Sequence, residues 1–283
     1  MKHFLVPVDF SDYAINAARY AVRIASCFSA KITLFHTYHI PIIDPLMPSD
    51  YISELAESAE KDVASHMQQL VEKLNQFASQ YQVNPVEIHS SVTMGFAVDE
   101  ILLAIEKLTP DMVIMGRRYT EGMTKILLGS ITSSIIEKSS VPVLVVPENT
   151  SPEDAFKDIL YATEFDEADS RAITRLLTFT EALHVKVHCI HIVTGEDPFV
   201  QDKLKALEKQ FDSYQSKGLI EFRNISSETV LSGLLDYAAR NNIGMVAMLT
   251  HKRSFFQKLF DRSLTKEAAF KSNLPLLAFH DEA

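Results

Sequence analysis

With 283 residues, 47% of them hydrophobic and 23% charged, the chain can build two packed cores at the usual scale of roughly 150 residues per domain. A net charge of −10 disfavours nonspecific nucleic-acid binding, and no apolar run approaches the ~20 residues that a membrane span requires. Two unpatterned cysteines, Cys27 and Cys189, argue against a disulfide scaffold or a zinc finger and fit a reducing cytoplasm. Asp9 also interrupts the first apolar run before a signal-peptide core could form.

From the N-terminus, short apolar runs alternate with helical patterns. Phe4–Val8, Ile32–His36, Val86–Ser90, Met112–Met115 and Val143–Val146 read as strands, several apolar throughout as in a parallel sheet buried on both faces. Pro7 is at odds with a central first strand, because proline removes a ladder donor. Ser11–Ser29 carries Ala14, Ala17, Ala18, Ala21, Ile24 and Ala25 on one helical stripe, with Ser11 or Asp12 placed to cap it. Tyr38–Asp50 is a proline-rich loop before a long helix at about Tyr51–Tyr81, and Phe96–Leu108 and Ser130–Ser139 supply two more helices. Glu148–Asp154, polar and containing Pro152, is the natural linker.

The same order then repeats. Residues 4–36 align without a gap on 159–191 at an offset of 155, and Asp111–Gly116 and Val141–Val146 align on Gly244–Leu249 and Leu274–Phe279 at an offset of 133. The 22-residue difference is one deletion in the second copy, which replaces the long helix with a shorter one near Pro198–Lys217. A period this long marks a duplicated domain, since solenoid repeats are much shorter. Strand–helix alternation implies right-handed parallel crossovers and a three-layer α/β sheet. The expected domains are residues 1–148 and 156–283.

The segment after the fourth strand is the candidate for chemistry. Gly116, Gly122 and Gly129, three of only eight glycines, flank a loop that enters a helix at Gly129-Ser130. Glycine lets backbone approach a ligand closely, and the free N–H groups of a helix N-terminus bind phosphate oxygens. Asp9, ending strand one, would share a crevice beyond the strands' C-terminal ends, where ligands of open α/β sheets bind. Read as a plain turn, the same glycines need no ligand. Arg117, Arg118 and Lys125 are either solvated loop charge or part of an anion site, as are Lys252, Arg253 and Arg262 in the second copy.

This pattern resembles the universal stress protein family, whose ATP-binding members carry Gly, two residues, Gly, nine residues, then Gly and Ser or Thr. Gly116, Gly129 and Ser130 match in register, as do Val8-Asp9-Phe10-Ser11 and the run Val141–Val146. The resemblance covers both copies and implies a tandem protein of two Rossmann-like domains of the adenine nucleotide alpha hydrolase-like kind. Each is a five-stranded parallel sheet between helices in the order 3-2-1-4-5, and the copies pair as a pseudo-dimer through their fifth strands. Implied with it are a cytoplasmic stress response and a nucleotide, ATP with Mg, in the first copy. Asp9 would lie on the adenosine side, and Gly116, Gly129 and Ser130 along the phosphates, with Gly122 in the same loop and Ile131 at the start of the helix. Arg117 and Arg118 could neutralise phosphate charge, a role that the family pattern does not assign them. No nucleic-acid or membrane partner is implied, and further homodimerisation stays open.

Two departures qualify the pattern. Tyr119 stands where the second glycine belongs, so it either blocks the triphosphate or stacks on a ligand after a loop shift. In the second copy Leu249, Lys252 and Arg262 replace all three glycines and Glu164 replaces Asp9, leaving only Ser263. A scaffold without nucleotide is therefore the alternative function. At most a slow ATP hydrolase is a third, without an identifiable general base. His188 and His191, three apart on a strand, point to opposite faces and do not suit one metal; His36 and His191, equivalent in the two copies, suit structural hydrogen bonds.

Overall fold

The computed structural model describes residues 2–39, 49–118, 129–165, 167–195, 198–250 and 274–280. The first copy runs β1 (His3–Pro7), α1 (Asp12–Phe28), β2 (Lys31–Tyr38), α2 (Ser49–Gln80), β3 (Glu87–Met94), α3 (Ala97–Leu108), β4 (Met112–Arg117), α4 (Ser130–Lys138) and β5 (Val143–Pro147). The second runs β6 (Asp158–Ala162), α5 (Glu167–Leu183), β7 (Val187–Val193), α6 (Val200–Gln210), α7 (Asp212–Gln215), β8 (Ile220–Ser226), α8 (Val230–Arg240), β9 (Ile243–Leu249) and β10 (Leu276–Phe279). The repeat and the 3-2-1-4-5 order are both present. The ten strands form one sheet in the order β3-β2-β1-β4-β5-β10-β9-β6-β7-β8.

Within each copy the pairing is parallel; β5 and β10 meet antiparallel, with Leu144 opposite Leu277, Val143 opposite Ala278 and Val145 opposite Leu276. At the 133-residue offset Leu144 and Leu277 are the same position, so this pair lies on a pseudo-twofold axis. The buried side chains divide by sheet face rather than by copy. One face packs Phe4, Val6, Ile32, Ile114, Leu144, Tyr161 and Leu277 under the small residues of α1 and the Leu176-Leu177 pair of α5. The other packs Leu5, Val113, Met115, Val145, Leu160 and Met248 under α3, α4 and α8. Interior alternation along central strands explains why their sequences read as continuous apolar runs.

Pro7 is accommodated without disrupting the centre of the sheet. In a parallel ladder alternate residues bond to opposite neighbours, and Val8 N–H donates to Phe35 O on β2 at 2.9 Å. The missing donor of Pro7 therefore faces β4, whose pairing with β1 is confined to Phe4–Met112 and Leu5–Val113. The linker departs from the expectation of a simple tether. Pro152–Phe156 forms a 3-10 turn capped by Ser151, and Thr150 and Ala155 are buried. Asn16 on α1 donates to the carbonyls of Pro147 and Thr150 at 3.0 and 2.9 Å, and Arg23 pairs with Glu153 at 2.8 Å.

A polar cluster closes the N-terminal ends of the second copy's strands. His188 reaches Asp158 at 3.1 Å and Tyr237 at 2.7 Å, and Glu221 accepts from Tyr237 at 2.9 Å and Lys186 at 2.6 Å. Burial would raise the Glu221 carboxyl. The hydrogen bonds from Lys186 and Tyr237, with His188 alongside, outweigh it and bring its pKa from 4.5 down to about 2. A depressed folded-state pKa contributes stability that is complete above the unfolded value and is lost as pH falls towards the folded one. Glu221→Gln is therefore expected to lower the thermal midpoint at neutral pH, and the gap to wild type should close between pH 4.5 and about 2 in acid-titrated melts.

Candidate functional site

The strand order reverses between β1 and β4, because the chain leaving β1 crosses to α1 on one face and the chain leaving β4 goes to α4 on the other. Such a switch point leaves a crevice beyond the strand ends. Asp9 stands at its edge, exposed, in the turn from β1 to α1. Phe10 next to it adopts a left-handed φ of 62°, and its ring lies 4.6 Å from that of His36, which bonds Val8 O at 2.7 Å. The second copy repeats this device: Phe165 has φ 63°, its ring lies 4.5 Å from His191, and His191 bonds Thr163 O at 2.9 Å. Retention in both copies assigns the two histidines to shaping the strand-end turn. His188, by contrast, meets Tyr237 of α8 on the other face of the sheet.

Asp9 is held from one side by three donors. Its Oδ1 accepts from the Ser11 backbone N–H at 3.1 Å and from the Ser11 hydroxyl, and its Oδ2 accepts from the Tyr13 hydroxyl at 2.6 Å. Burial acts to raise its pKa, but the hydrogen bonds from Ser11 and Tyr13 prevail, so the carboxyl stays below its ordinary value. Hydrogen bonding to Asp9 in turn raises the Tyr13 hydroxyl. The Arg118 guanidinium lies 5.8 Å from the Tyr13 ring centroid, linking the end of β4 to this network. Sequence reasoning gave Ser11 only a capping role and missed Tyr13. The available signal was Asp9, Ser11 and Tyr13 at alternate positions across a strand-to-helix turn, a spacing that favours an Asx-type turn.

The glycines divide into two kinds. A Cβ on Gly116 would lie 2.2 Å from Tyr13 O and 2.8 Å from Ala14 N, so this glycine lets β4 press against the first turn of α1. Among the described residues, no atom lies within 4 Å of a Cβ position on Gly129. It is the N-cap of α4 with φ −53° and no side-chain cap bond, and the helix's first backbone bond is Ser133 N–H to Gly129 O at 3.0 Å. The N–H groups of Ser130, Ile131 and Thr132 thus precede the helical ladder, and Ser130 and Ile131 are exposed. Arg117 is buried, at 6% exposure, on the strand face opposite Gly116. Tyr119, Gly122 and Lys125 lie outside the described residues, as do Lys252, Arg253, Arg262 and Ser263.

In the second copy the corresponding strand end is satisfied from within. Buried Asp169, at the position of Ala14, accepts from Tyr161 at 2.6 Å, Thr163 at 2.8 Å and the Glu164 backbone N–H at 3.0 Å. Leu249 fills the position of Gly116 and is buried.

A family model described as the universal stress protein family matches residues 1–147 and again 155–280. The chain belongs to the universal stress protein family. Universal stress protein MJ0531 of Methanocaldococcus jannaschii is 30% identical over 146 residues, covering 51% of this chain and 81% of that protein. Universal stress protein G of Escherichia coli O157:H7 is 28% identical over 145 residues, covering 51% and 98%. A crystal structure of a universal stress protein from Archaeoglobus fulgidus covers 99% of this chain and 98% of its own at 18% identity and a TM-score of 0.73, a likeness of fold. The fold of the whole chain is thus present in a solved structure.

The contrast between the glycines is directly testable. Gly116→Ala should cost about 1–3 kcal/mol through overpacking against α1, lowering the thermal midpoint by several degrees. Gly129→Ala should lower it by less than Gly116→Ala in the same melts, since the added methyl meets none of the described residues and what remains is the poorer fit of alanine at an N-cap, well under about 1 kcal/mol.

Proposed function

We propose that the first copy binds ATP or a related adenine nucleotide, and that the chain works in a cytoplasmic stress response by presenting this liganded state to a partner. The observation that carries the reading is the joint presence, at one switch point, of a carboxylate held below its ordinary pKa and an uncapped helix N-terminus. Asp9 would accept hydrogen bonds from ribose hydroxyls or the adenine amino group, its own donors Ser11 and Tyr13 fixing the oxygens in place. The N–H groups of Ser130 and Ile131 would take phosphate oxygens, aided by the positive end of the α4 dipole. Gly129 itself adds no side chain at that end, and none of the described residues comes within 4 Å of where its Cβ would be. Gly116 contributes indirectly, by allowing the loop to leave β4 close to α1. Gly122 belongs to the same loop. Arg118, over Tyr13, is better placed than buried Arg117 to offset phosphate charge. Magnesium would be carried by the phosphates of ATP.

In the second copy Asp169 takes up the donors of the strand end and Leu249 fills the glycine's place, which supports a structural role for that half. A scaffold without nucleotide is the second reading, favoured by Tyr119 in place of the motif's second glycine.

Denaturing release of small molecules from freshly purified protein, read by mass spectrometry, separates the two. ATP or AMP should be released from the wild type and be absent from Gly129→Glu, whose carboxylate would oppose phosphate at the helix terminus. Clean wild-type protein that shows no thermal shift with millimolar ATP would overturn the nucleotide reading and leave the scaffold.

A further inference from the structure

The pseudo-twofold axis through Leu144 and Leu277 relates two grooves, each between one copy's first helix and the start of the other copy's fourth strand. The linker fills the groove beside α1. There the Phe156 ring lies 4.8 Å from the Arg23 guanidinium, and Asp154 O comes so close to β9 that a Cβ on Gly244 would lie 2.3 Å from it. This groove thus takes up an aromatic ring carried by a stretch of backbone.

Its counterpart beside α5 is an open cleft of about 310 Å³. Phe28 and Phe179, stacked at 5.1 Å, line it from the helices, and Phe4 and Phe279 line it from the sheet. Thr178, at the position of Arg23, borders it from an exposed site on α5. Asp111 stands at the position of Gly244, and its carboxylate accepts from the His3 backbone N–H at 2.7 Å. A peptide therefore cannot follow the linker's route here, whereas a separate, compact ring can enter.

The lining also decides the charge of what it can hold. Among the described residues that border the cleft, Lys2 and Asp111 pair with each other at 3.0 Å, and Arg175 has an interaction partner of its own. An ion would shed its water here with no spare counter-charge to receive it, which is costly. A neutral donor is better served. The Thr178 hydroxyl donates to Thr174 O at 3.1 Å, so its lone pairs remain to accept a hydrogen bond.

We propose that this cleft between the copies binds a compact, uncharged aromatic molecule with one hydrogen-bond donor, of the phenol or indole kind. Its ring lies against Phe28 and Phe179, and its donor points to the Thr178 hydroxyl. The volume is at the lower end of small-molecule pockets, which combine apolar walls with a few polar groups. The site draws residues from both copies and is separate from the nucleotide crevice of the first copy, so neither reading depends on the other.

Calorimetric titration of the full chain with 2-naphthol tests this, with 2-methoxynaphthalene as the analogue lacking a donor and 2-naphthoate as the anion. Saturable 1:1 binding of the naphthol is expected, at least fivefold tighter than that of either analogue. Thr178→Val should erase the preference over the methoxy compound while keeping the wild-type melting profile. Thr178→Trp, which puts an indole into the cleft, should weaken naphthol binding at least tenfold. No saturable binding, binding unchanged in Thr178→Trp, or a donor preference that survives Thr178→Val would each overturn the proposal. So would naphthoate binding as tightly as naphthol, which would make the cleft an anion site.

Discussion

The antiparallel pairing of β5 with β10 is the contact on which the rest of the molecule depends. Two parallel sheets of order 3-2-1-4-5 would each leave a fifth strand as an open edge with unpaired N–H and C=O groups, the usual route to unwanted association. Joining them consumes both edges and produces one ten-stranded sheet with a single hydrophobic layer on each face. Because Leu144 meets its own counterpart Leu277, the register obeys the duplication, and every other relation between the copies follows from it. Helices α1 and α5 come together on one face, where Phe28 stacks on Phe179.

Within that frame the copies have diverged in a physically coherent way. The first keeps its strand end open: Asp9 gathers Ser11 and Tyr13 but remains at the surface, and Gly116 holds β4 close to α1. In the second, replacing Ala14 by Asp169 and Gly116 by Leu249 turns the same place into a closed polar knot over a filled core position. What survives in both is the Phe10–His36 and Phe165–His191 pair with its left-handed phenylalanine, a backbone arrangement that costs on the order of 1 kcal/mol and is retained because it turns the chain from strand to helix.

Much of this was legible in the sequence. The apolar runs and the alanine stripe of α1 located the elements of the first copy, the two alignment offsets located those of the second, and the strand order came only with the family resemblance. Those signals are local or periodic, so a linear reading captures them. The docked linker was not legible, because Asn16 and Arg23 reach residues more than a hundred positions away and nothing in their own neighbourhood announces it. The role of Gly116 was half legible: a glycine at that place signals close approach, but whether to a ligand or to a helix depends on where Tyr13 and Ala14 lie in space. Asp169 escaped notice for a related reason, since an acid in the first turn of a helix normally reads as a solvated cap, and only the fold brings Tyr161 and Thr163 to it.

The docked linker also fixes the stoichiometry of the molecule. Two separate chains that paired through their fifth strands would part on dilution and could exchange partners. Here the tether keeps each half at an effective concentration on the order of millimolar to the other, and the bonds from Asn16 and Arg23 hold that tether in place. The pairing of the two halves therefore does not depend on the concentration of a second chain, which leaves them free to carry unequal duties.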